Sequence, residues 1–274
     1  MSRVAVAAKI NLALVVGERR QDGLHDVASV LQRIDIADRL SLARGGGIEV
    51  AGFADDTLVR GALERLADAA GIEFGWHVRI EKRIPVAAGL GGGSADAAAA
   101  LRLANDSLPE PLDPDRLAAL GAELGADVPF FLAPGPKLAE GAGERLALLE
   151  LPQDFWVVVA LPRAARKTST GDVYARFDEL GGGPGFPERR AALLEALGSA
   201  RRPRDFAAFP PNDLAGAAGG GNLAAALAEA GAFRADVSGA GPAVYGLFHH
   251  RPQAVRAARS LGRGIRSWVT VPVW

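Results

Sequence analysis

The sequence predicts an α+β fold in two lobes, a mixed α/β lobe over residues 1–152 and a ferredoxin-like lobe over residues 153–274. Three observations carry that prediction. Apolar residues alternate in the manner of half-buried strands at Val4, Val6 and Ala8, at Leu12, Leu14 and Val16, at Val30 and Ile34, and at Leu40 and Leu42. A glycine-rich run stands between a strand pattern and an alanine-rich helix pattern, giving strand, loop and helix in succession. The second half, stripped of extra helices, reads β-α-β-β-α-β, the ferredoxin-like order.

Taken in order, the opening strands form an antiparallel sheet. After Asp55-Asp56, the residues Leu58, Val59, Ala62, Leu63, Leu66, Ala67 and Ala70 recur at helical spacing, and Gly71 supplies the stop. Trp76, Val78 and Ile80 alternate as a strand that Pro85 ends, and Ser94 opens the alanine-rich helix behind the glycines. A proline-rich connector at 109–114 precedes a helix ending near Gly125, and 134–152 reads as the join to the second lobe. Beyond it the pattern gives a strand at 156–161 and helical segments near 171–180, 188–197 and 222–231. Strands at 233–237 and 243–248, a helix at 253–261 and a strand at 265–271 complete the chain.

Composition excludes several classes of function. Lys and Arg number 31 against 32 Asp and Glu, a net charge of −1, which disfavours nucleic acid and acidic lipid as partners. The absence of cysteine removes disulfides, thiolate metal sites and thiol nucleophiles, and fits a reducing compartment. The apolar stretch 4–16 is interrupted by Lys9 and Asn11, lacks a small-residue cleavage pattern and runs into Glu18, Arg19 and Arg20, so it reads as strand and not as an export signal. The apolar run 155–162 is far short of the roughly 20 residues a membrane span requires. A soluble, cytoplasmic protein with neither membrane nor nucleic-acid partner is expected, and no pattern fixes its oligomeric state. Glycine at 34 of 274, about 12% against a usual 7% or so, points to tight loops.

Residues Pro85, Val86, Ala87, Ala88, Gly89, Leu90, Gly91, Gly92, Gly93, Ser94 and Ala95 carry the strongest signal. Glycines let backbone amides converge at positive φ, and a helix N-terminus behind them adds unsatisfied N–H groups and partial positive charge. That combination cradles phosphate. A plain helix start, capped by Ser94 with Asp96 favouring the dipole, does not call for four glycines in five positions. A Walker A loop needs Lys where Ser94 stands. A Rossmann loop needs Gly or Ala there and an acid at a strand end about 20 residues on, whereas Glu110 sits among prolines.

Two segments flank this run. Lys9 and Asn11 share one face of a strand, an arrangement that is costly in a core unless a partner or ligand answers it, and unremarkable on a solvated edge. Asp127 lies between Gly125-Ala126 and the apolar residues 128–132, placed to cap a helix, to form a salt bridge, or to orient or deprotonate a hydroxyl. Residues 238–242, Ser-Gly-Ala-Gly-Pro, read as a tight turn between strands or as a loop that closes over phosphates or substrate, with Gly239 and Gly241 allowing close approach. His77, His249 and His250 lack metal-ligand spacing and read as structural or surface residues.

On these residues the sequence resembles the galactokinase, homoserine, mevalonate and phosphomevalonate kinase superfamily, whose central motif is similar to residues 85–94. The runs at 8–12, 23–26, 125–131, 212–214 and 238–244 also occur in the order found in its branch acting on a cytidyl diphosphate polyol. The resemblance implies a two-lobed small-molecule kinase that transfers the γ-phosphate of ATP to the tertiary 2-hydroxyl of that polyol. The product lies on the non-mevalonate route to isoprenoid precursors, and ATP and Mg²⁺ are the cofactors implied. By the same resemblance Lys9 and Asp127 are the catalytic pair, and residues 85–95 surround ATP. Ser94 touches Mg²⁺ directly or through water. Asn11, Leu24, His25, Tyr174, Gly239 and Gly241 meet the substrate, His25 reading cytosine and Tyr174 lying near the aromatic that stacks on the base. The branch commonly has Tyr where this chain has Leu24, which leaves one wall of the cytosine site aliphatic. Base–aromatic stacking contributes roughly 1–3 kcal/mol.

Two other functions stand beside this one. Another kinase of the superfamily, of homoserine or mevalonate type, is disfavoured by His25 and by the Ala-Lys-Ile-Asn-Leu opening. A non-catalytic nucleotide-binding regulator would keep the glycine loop alone, and the joint presence of Lys9 and Asp127 speaks against it.

Overall fold

The computed structural model describes residues 2–53, 58–165 and 169–274; Asp55-Asp56 and Thr168 lie outside the described residues. Along the chain come β1 (Ser2–Arg19), β2 (His25–Gly45), β3 (Glu49–Ala51), α1 (Leu58–Ala70), β4 (Gly75–Glu81), α2 (Gly92–Asn105), α3 (Pro114–Leu124), α4 (Val128–Leu132), β5 (Lys137–Gly141) and β6 (Arg145–Leu148). Then follow β7 (Trp156–Pro162), α5 (Thr170–Glu179), α6 (Phe186–Ser199), a 3-10 turn (Pro203–Ala208), α7 (Ala215–Ala218), α8 (Gly221–Glu229), β8 (Arg234–Val237), β9 (Val244–Phe248), α9 (Arg251–Ser260), β10 (Ile265–Thr270) and β11 (Pro272–Val273). Two compact units share this order without being sequential. One comprises Met1–Ala8, Ile36–Val86 and Gly91–Pro134; the other comprises Lys9–Asp35, Ala87–Leu90 and Gly135–Trp274.

In the first unit, β4 runs between the C-terminal half of β2, antiparallel to it, and β3, parallel to it. Helix α1 buries Val59, Ala62, Leu63 and Leu66, the stripe that the 3.6-residue period marks, and packs against α2. It ends as its glycine foretells: Gly71 takes φ +63°, and Ile72 N–H donates to the Ala67 carbonyl at 3.2 Å, a six-to-one closure of the last turn. Helix α3 starts on Asp113, whose side chain accepts from Arg116 N–H, with Pro114 at its first position.

In the second unit, β10, β7, β9 and β8 form an antiparallel sheet in that order, the strand order of a ferredoxin-like fold, with every predicted strand within two residues of its observed bounds. Val158 and Ala160 of β7, Val244 and Phe248 of β9, Leu227 of α8 and Ala254 and Ala257 of α9 make its core. Residues 134–152, read from the sequence as a join, instead contain the hairpin β5–β6. Strand β5 pairs antiparallel with residues 27–31 of β2. Among the described residues no helix is long and apolar enough to cross a membrane.

Lys137 opens β5 and is buried. Burial, and after it the Arg33 guanidinium, push its ammonium down to about 8 from 10.5. Between those values the unfolded chain binds the extra proton, so the cost of burying the charge is fully present below about 8 and is relieved as pH rises toward 10.5. Urea unfolding of the wild type and Lys137→Met is expected to show the wild type gaining stability relative to the variant across that window. Parallel stability curves for the two proteins contradict this.

Candidate active site

The glycine-rich segment is built in two parts. Ala87 sits at φ 52°, Gly89 at 80° and Gly91 at 70°, and α2 begins at Gly92 with Gly91 as its cap. The helix therefore starts two residues before Ser94, inside the glycine run, and no side chain caps it. Ser94 lies on the first turn, where backbone N–H groups have no helical acceptor. Gly92 itself has no positive φ; its lack of a side chain serves close approach, since a Cβ there would stand 3.0 Å from Ile84 Cγ2 and 3.4 Å from Lys82 Nζ.

Residues 87–90 belong to the second unit, and the carbonyls of Ala88, Gly89 and Leu90 are engaged there. Ala243 N–H donates to the Ala88 carbonyl at 3.0 Å, Ser238 Oγ to that of Gly89 at 2.9 Å, and Lys9 N–H to that of Leu90 at 2.9 Å. A Cβ on Gly89 would run into the Ser238 carbonyl oxygen, so only glycine fits. The 238–242 run, bounded by β8 and β9 and holding Gly239 at φ 56° and Gly241 at φ 63°, thus grips the first half of the glycine-rich segment. It is gripped in turn by Asn212, whose side-chain amide donates to the carbonyls of Val237 at 3.0 Å and Gly239 at 2.7 Å. Its Oδ1 accepts from Leu214 N–H at 2.9 Å.

Lys9 and Asn11 are each 4% exposed, so the strand is no solvated edge. Lys9 Nζ donates to Asn11 Oδ1 at 2.7 Å, Asn11 Nδ2 donates to Ser29 Oγ at 2.8 Å, and Ser29 Oγ donates to the Ala13 carbonyl at 2.8 Å. This relay fixes both the Asn11 amide and the ammonium. A Cβ on Gly239 would lie 3.1 Å from Asn11 Oδ1 and 3.4 Å from Lys9 Nζ, so the second glycine loop closes directly on this pair.

His25 and Tyr174, far apart in sequence, are brought together with ring centroids 4.8 Å apart. Val173 and Phe177 of α5 pack with Leu14, Val16, Val27 and Leu214 beneath them. His25 Nε2 lies 2.8 Å from Asp178 Oδ1. Leu24 is 53% exposed, so it is no core residue.

In the first unit Asp127 occupies the cap position of α4, half-buried, yet its side chain makes no capping bond. Nearby in sequence to the glycines, Lys82 Nζ bridges Asp38 Oδ2 at 2.5 Å and Asp96 Oδ2 at 2.7 Å. Burial alone would lower this ammonium, but Asp96 and Asp38 outweigh it and hold it above its usual range. His77 is half-exposed beside Glu49, and His249 stacks on Phe233 at the surface.

The family described as "GHMP kinases N terminal domain" matches residues 57–135, and "GHMP kinases C terminal" matches 221–265. An Anaeromyxobacter protein named 4-diphosphocytidyl-2-C-methyl-D-erythritol kinase is 39% identical over 94% of this chain and 86% of its own. A Geobacter sulfurreducens protein of the same name is 36% identical over 97% and 96%. The chain belongs to the 4-diphosphocytidyl-2-C-methyl-D-erythritol kinase family. A crystal structure of a 4-(cytidine 5'-diphospho)-2C-methyl-D-erythritol kinase, 33% identical, covers both chains fully with a TM-score of 0.81. The mevalonate kinase of Methanococcus jannaschii, 13% identical with a TM-score of 0.75 over 100% of this chain and 98% of its own, shares the fold alone.

For this member of the 4-diphosphocytidyl-2-C-methyl-D-erythritol kinase family, the sequence missed the residues that support the site. Asn212 stood in a recognised run without a role. Ser29 and Ser238 carried no local signal, because their partners lie 16 or more residues away. Asp178 was findable by its four-residue spacing from Tyr174 on one helix face.

Asn212 is 3% exposed, and its truncation strands two buried carbonyls and one N–H. Each such group costs about 1–3 kcal/mol when left unpaired. Asn212→Ala is expected to lose at least about 2 kcal/mol in urea unfolding with an unchanged m-value. A loss within the range of an ordinary surface substitution, about 0.5 kcal/mol, would show that the clamp contributes little.

Proposed function

We infer that this protein transfers the γ-phosphate of ATP to the 2-hydroxyl of 4-diphosphocytidyl-2-C-methyl-D-erythritol, in the cytoplasm, on the non-mevalonate route to isoprenoid precursors. The observation that carries this reading is the likeness, 36–39% over more than nine-tenths of the chain, to relatives bearing that substrate in their name. Residues 1–152 hold ATP and the catalytic groups, and residues 153–274 form the ferredoxin-like lobe.

The chemistry of the donors suits the assignment. Phosphoryl transfer depends mostly on positioning and charge stabilisation, so a fixed ammonium and a weak base suffice. Lys9, held in one orientation by the Asn11–Ser29 relay, supplies the charge. Asp127 orients or deprotonates the acceptor hydroxyl, a role suited to a half-buried carboxylate at the start of α4. The uncapped start of α2 and the positive-φ positions at Gly89 and Gly91 provide backbone N–H groups suited to the triphosphate within residues 85–95. Mg²⁺ favours oxygen ligands and retains water, which fits phosphate oxygens together with Ser94 Oγ; when bound it neutralises charge on the phosphates. Asn11, Leu24, His25, Tyr174, Gly239 and Gly241 serve the substrate, with Leu24 replacing one aromatic wall by an aliphatic one.

The test is ADP release from ATP and Mg²⁺ with 4-diphosphocytidyl-2-C-methyl-D-erythritol, mevalonate or homoserine as acceptor. Turnover is expected with the cytidyl polyol alone. Turnover with mevalonate or homoserine instead assigns a different kinase, and none with any acceptor favours a regulator. Asp127→Asn is expected to bind nucleotide as the wild type does and to lose at least about 100-fold in single-turnover transfer, the usual weight of a positioned acid–base group. Equal transfer rates remove Asp127 from the mechanism.

A further inference from the structure

A histidine that meets cytosine must also distinguish that base from uracil. Either ring nitrogen of a neutral histidine can carry the proton, and the two tautomers present opposite hydrogen-bonding edges. The structure supplies the missing constraint. Asp178, on α5, places Oδ1 2.8 Å from His25 Nε2. An ionised carboxylate has only acceptors to offer, so the proton of the neutral ring must sit on Nε2. The imidazole side chain is 5% exposed and the carboxylate 32%, so the contact is sheltered on the histidine side. The ring is held further by Tyr174 at 4.8 Å and by the edge of Phe177 at 6.2 Å. Val173 and Phe177 anchor the same helix into the apolar cluster beneath, so Asp178 is presented by a packed element.

The consequence falls on Nδ1, which makes no hydrogen bond to any described residue. With Nε2 protonated, Nδ1 is a bare acceptor. Cytosine carries an amino donor on C4, whereas uracil carries a carbonyl acceptor there. We propose that Asp178 is a specificity-determining positioning residue: by holding the proton on His25 Nε2 it makes Nδ1 an acceptor for the cytosine amino group and turns away uracil. This rests on the cytidyl reading above and goes beyond it by naming the group that sets base choice. Asp178 touches neither the base nor the reacting phosphate; it acts through His25. The recognition is the same in the ground and transition states, so its loss appears in KM and base preference and leaves kcat nearly unchanged.

Two measurements test this. The chain has four histidines, so long-range proton–nitrogen NMR correlation resolves the ring nitrogens of His25 directly. The wild type is expected to show Nε2 protonated and Nδ1 bare, and Asp178→Ala a mixture of tautomers. Calorimetric titration with CDP and with UDP gives the base preference. The wild type is expected to favour CDP by about tenfold or more, the weight of one well-formed hydrogen bond. In Asp178→Ala the preference falls to within about threefold, with kcat for the cytidyl polyol held within about twofold. Asp178→Glu, which keeps a carboxylate on a longer arm, restores part of the preference. A wild-type His25 protonated on Nδ1 overturns the proposal without recourse to any variant. Full base preference in Asp178→Ala overturns it while leaving the cytidyl reading intact, and equal binding of CDP and UDP by the wild type overturns both.

Discussion

The carbonyls of Ala88, Gly89 and Leu90 must find donors, and the way they do so governs the rest of the second unit. A segment that turns through positive φ at Ala87 and Gly89 forms no ladder of its own, so its acceptors are answered from outside, by Ala243 N–H, Ser238 Oγ and Lys9 N–H. Each donor comes from an element with a further task. Lys9 brings its ammonium, Ser238 brings the Gly239 backbone against Asn11, and Ala243 leads into β9. One set of hydrogen bonds therefore fixes residues 88–90 and the proposed catalytic lysine together.

That arrangement needs a rigid mounting, and a buried polar network provides it. Arg234 donates to the carbonyls of Phe206, Phe209 and Pro210 and to Asp236, while Asp236 accepts from the backbone of Asn212 and Val237. Burial raises the Asp236 carboxyl above its ordinary range, against the pull of those donors. Tyr245, pushed up to about 12 by burial, stays protonated and donates to the Leu12 carbonyl at 3.1 Å, tying β9 to the strand that carries Lys9 and Asn11. Asp213 does the same further along, accepting from Val16 N–H and Arg189. Networks of this kind are stabilising only when every member is satisfied, which is why so many of their donors are backbone groups of fixed direction.

Much of this was legible in the sequence where one period or one residue type decides the outcome. Leu58 to Ala70 spells its helix and Gly71 its end, and the ferredoxin-like order follows from alternating strands and helices of ordinary length. The buried Lys9 and Asn11 stood out because two polar groups interrupt an apolar strand. The hairpin β5–β6 did not stand out, because Leu138 and Leu146 become strand residues only through pairing that reaches back to Val27 and Leu31. The start of α2 differs from the expected Ser94 for a related reason. Ser is the better intrinsic cap, but packing of α2 on α1 and α4 and the left-handed turn at Gly91 carry the helix back to Gly92. The role of Asp178 needed the position of His25, which lies 153 residues away.

Residues 87–90 are pinned by hydrogen bonds and are not a free loop. Native-state hydrogen exchange of the Lys9 and Ala243 amides, the donors to Leu90 and Ala88, reads that pinning out. Both amides are expected to be protected and to open together, and in Ser238→Ala, which removes the third bond, both are expected to lose protection by a similar factor. Exchange of either amide in the wild type at the rate of an unstructured loop, or a Ser238→Ala variant in which neither changes, would show that the segment is not pinned in this way.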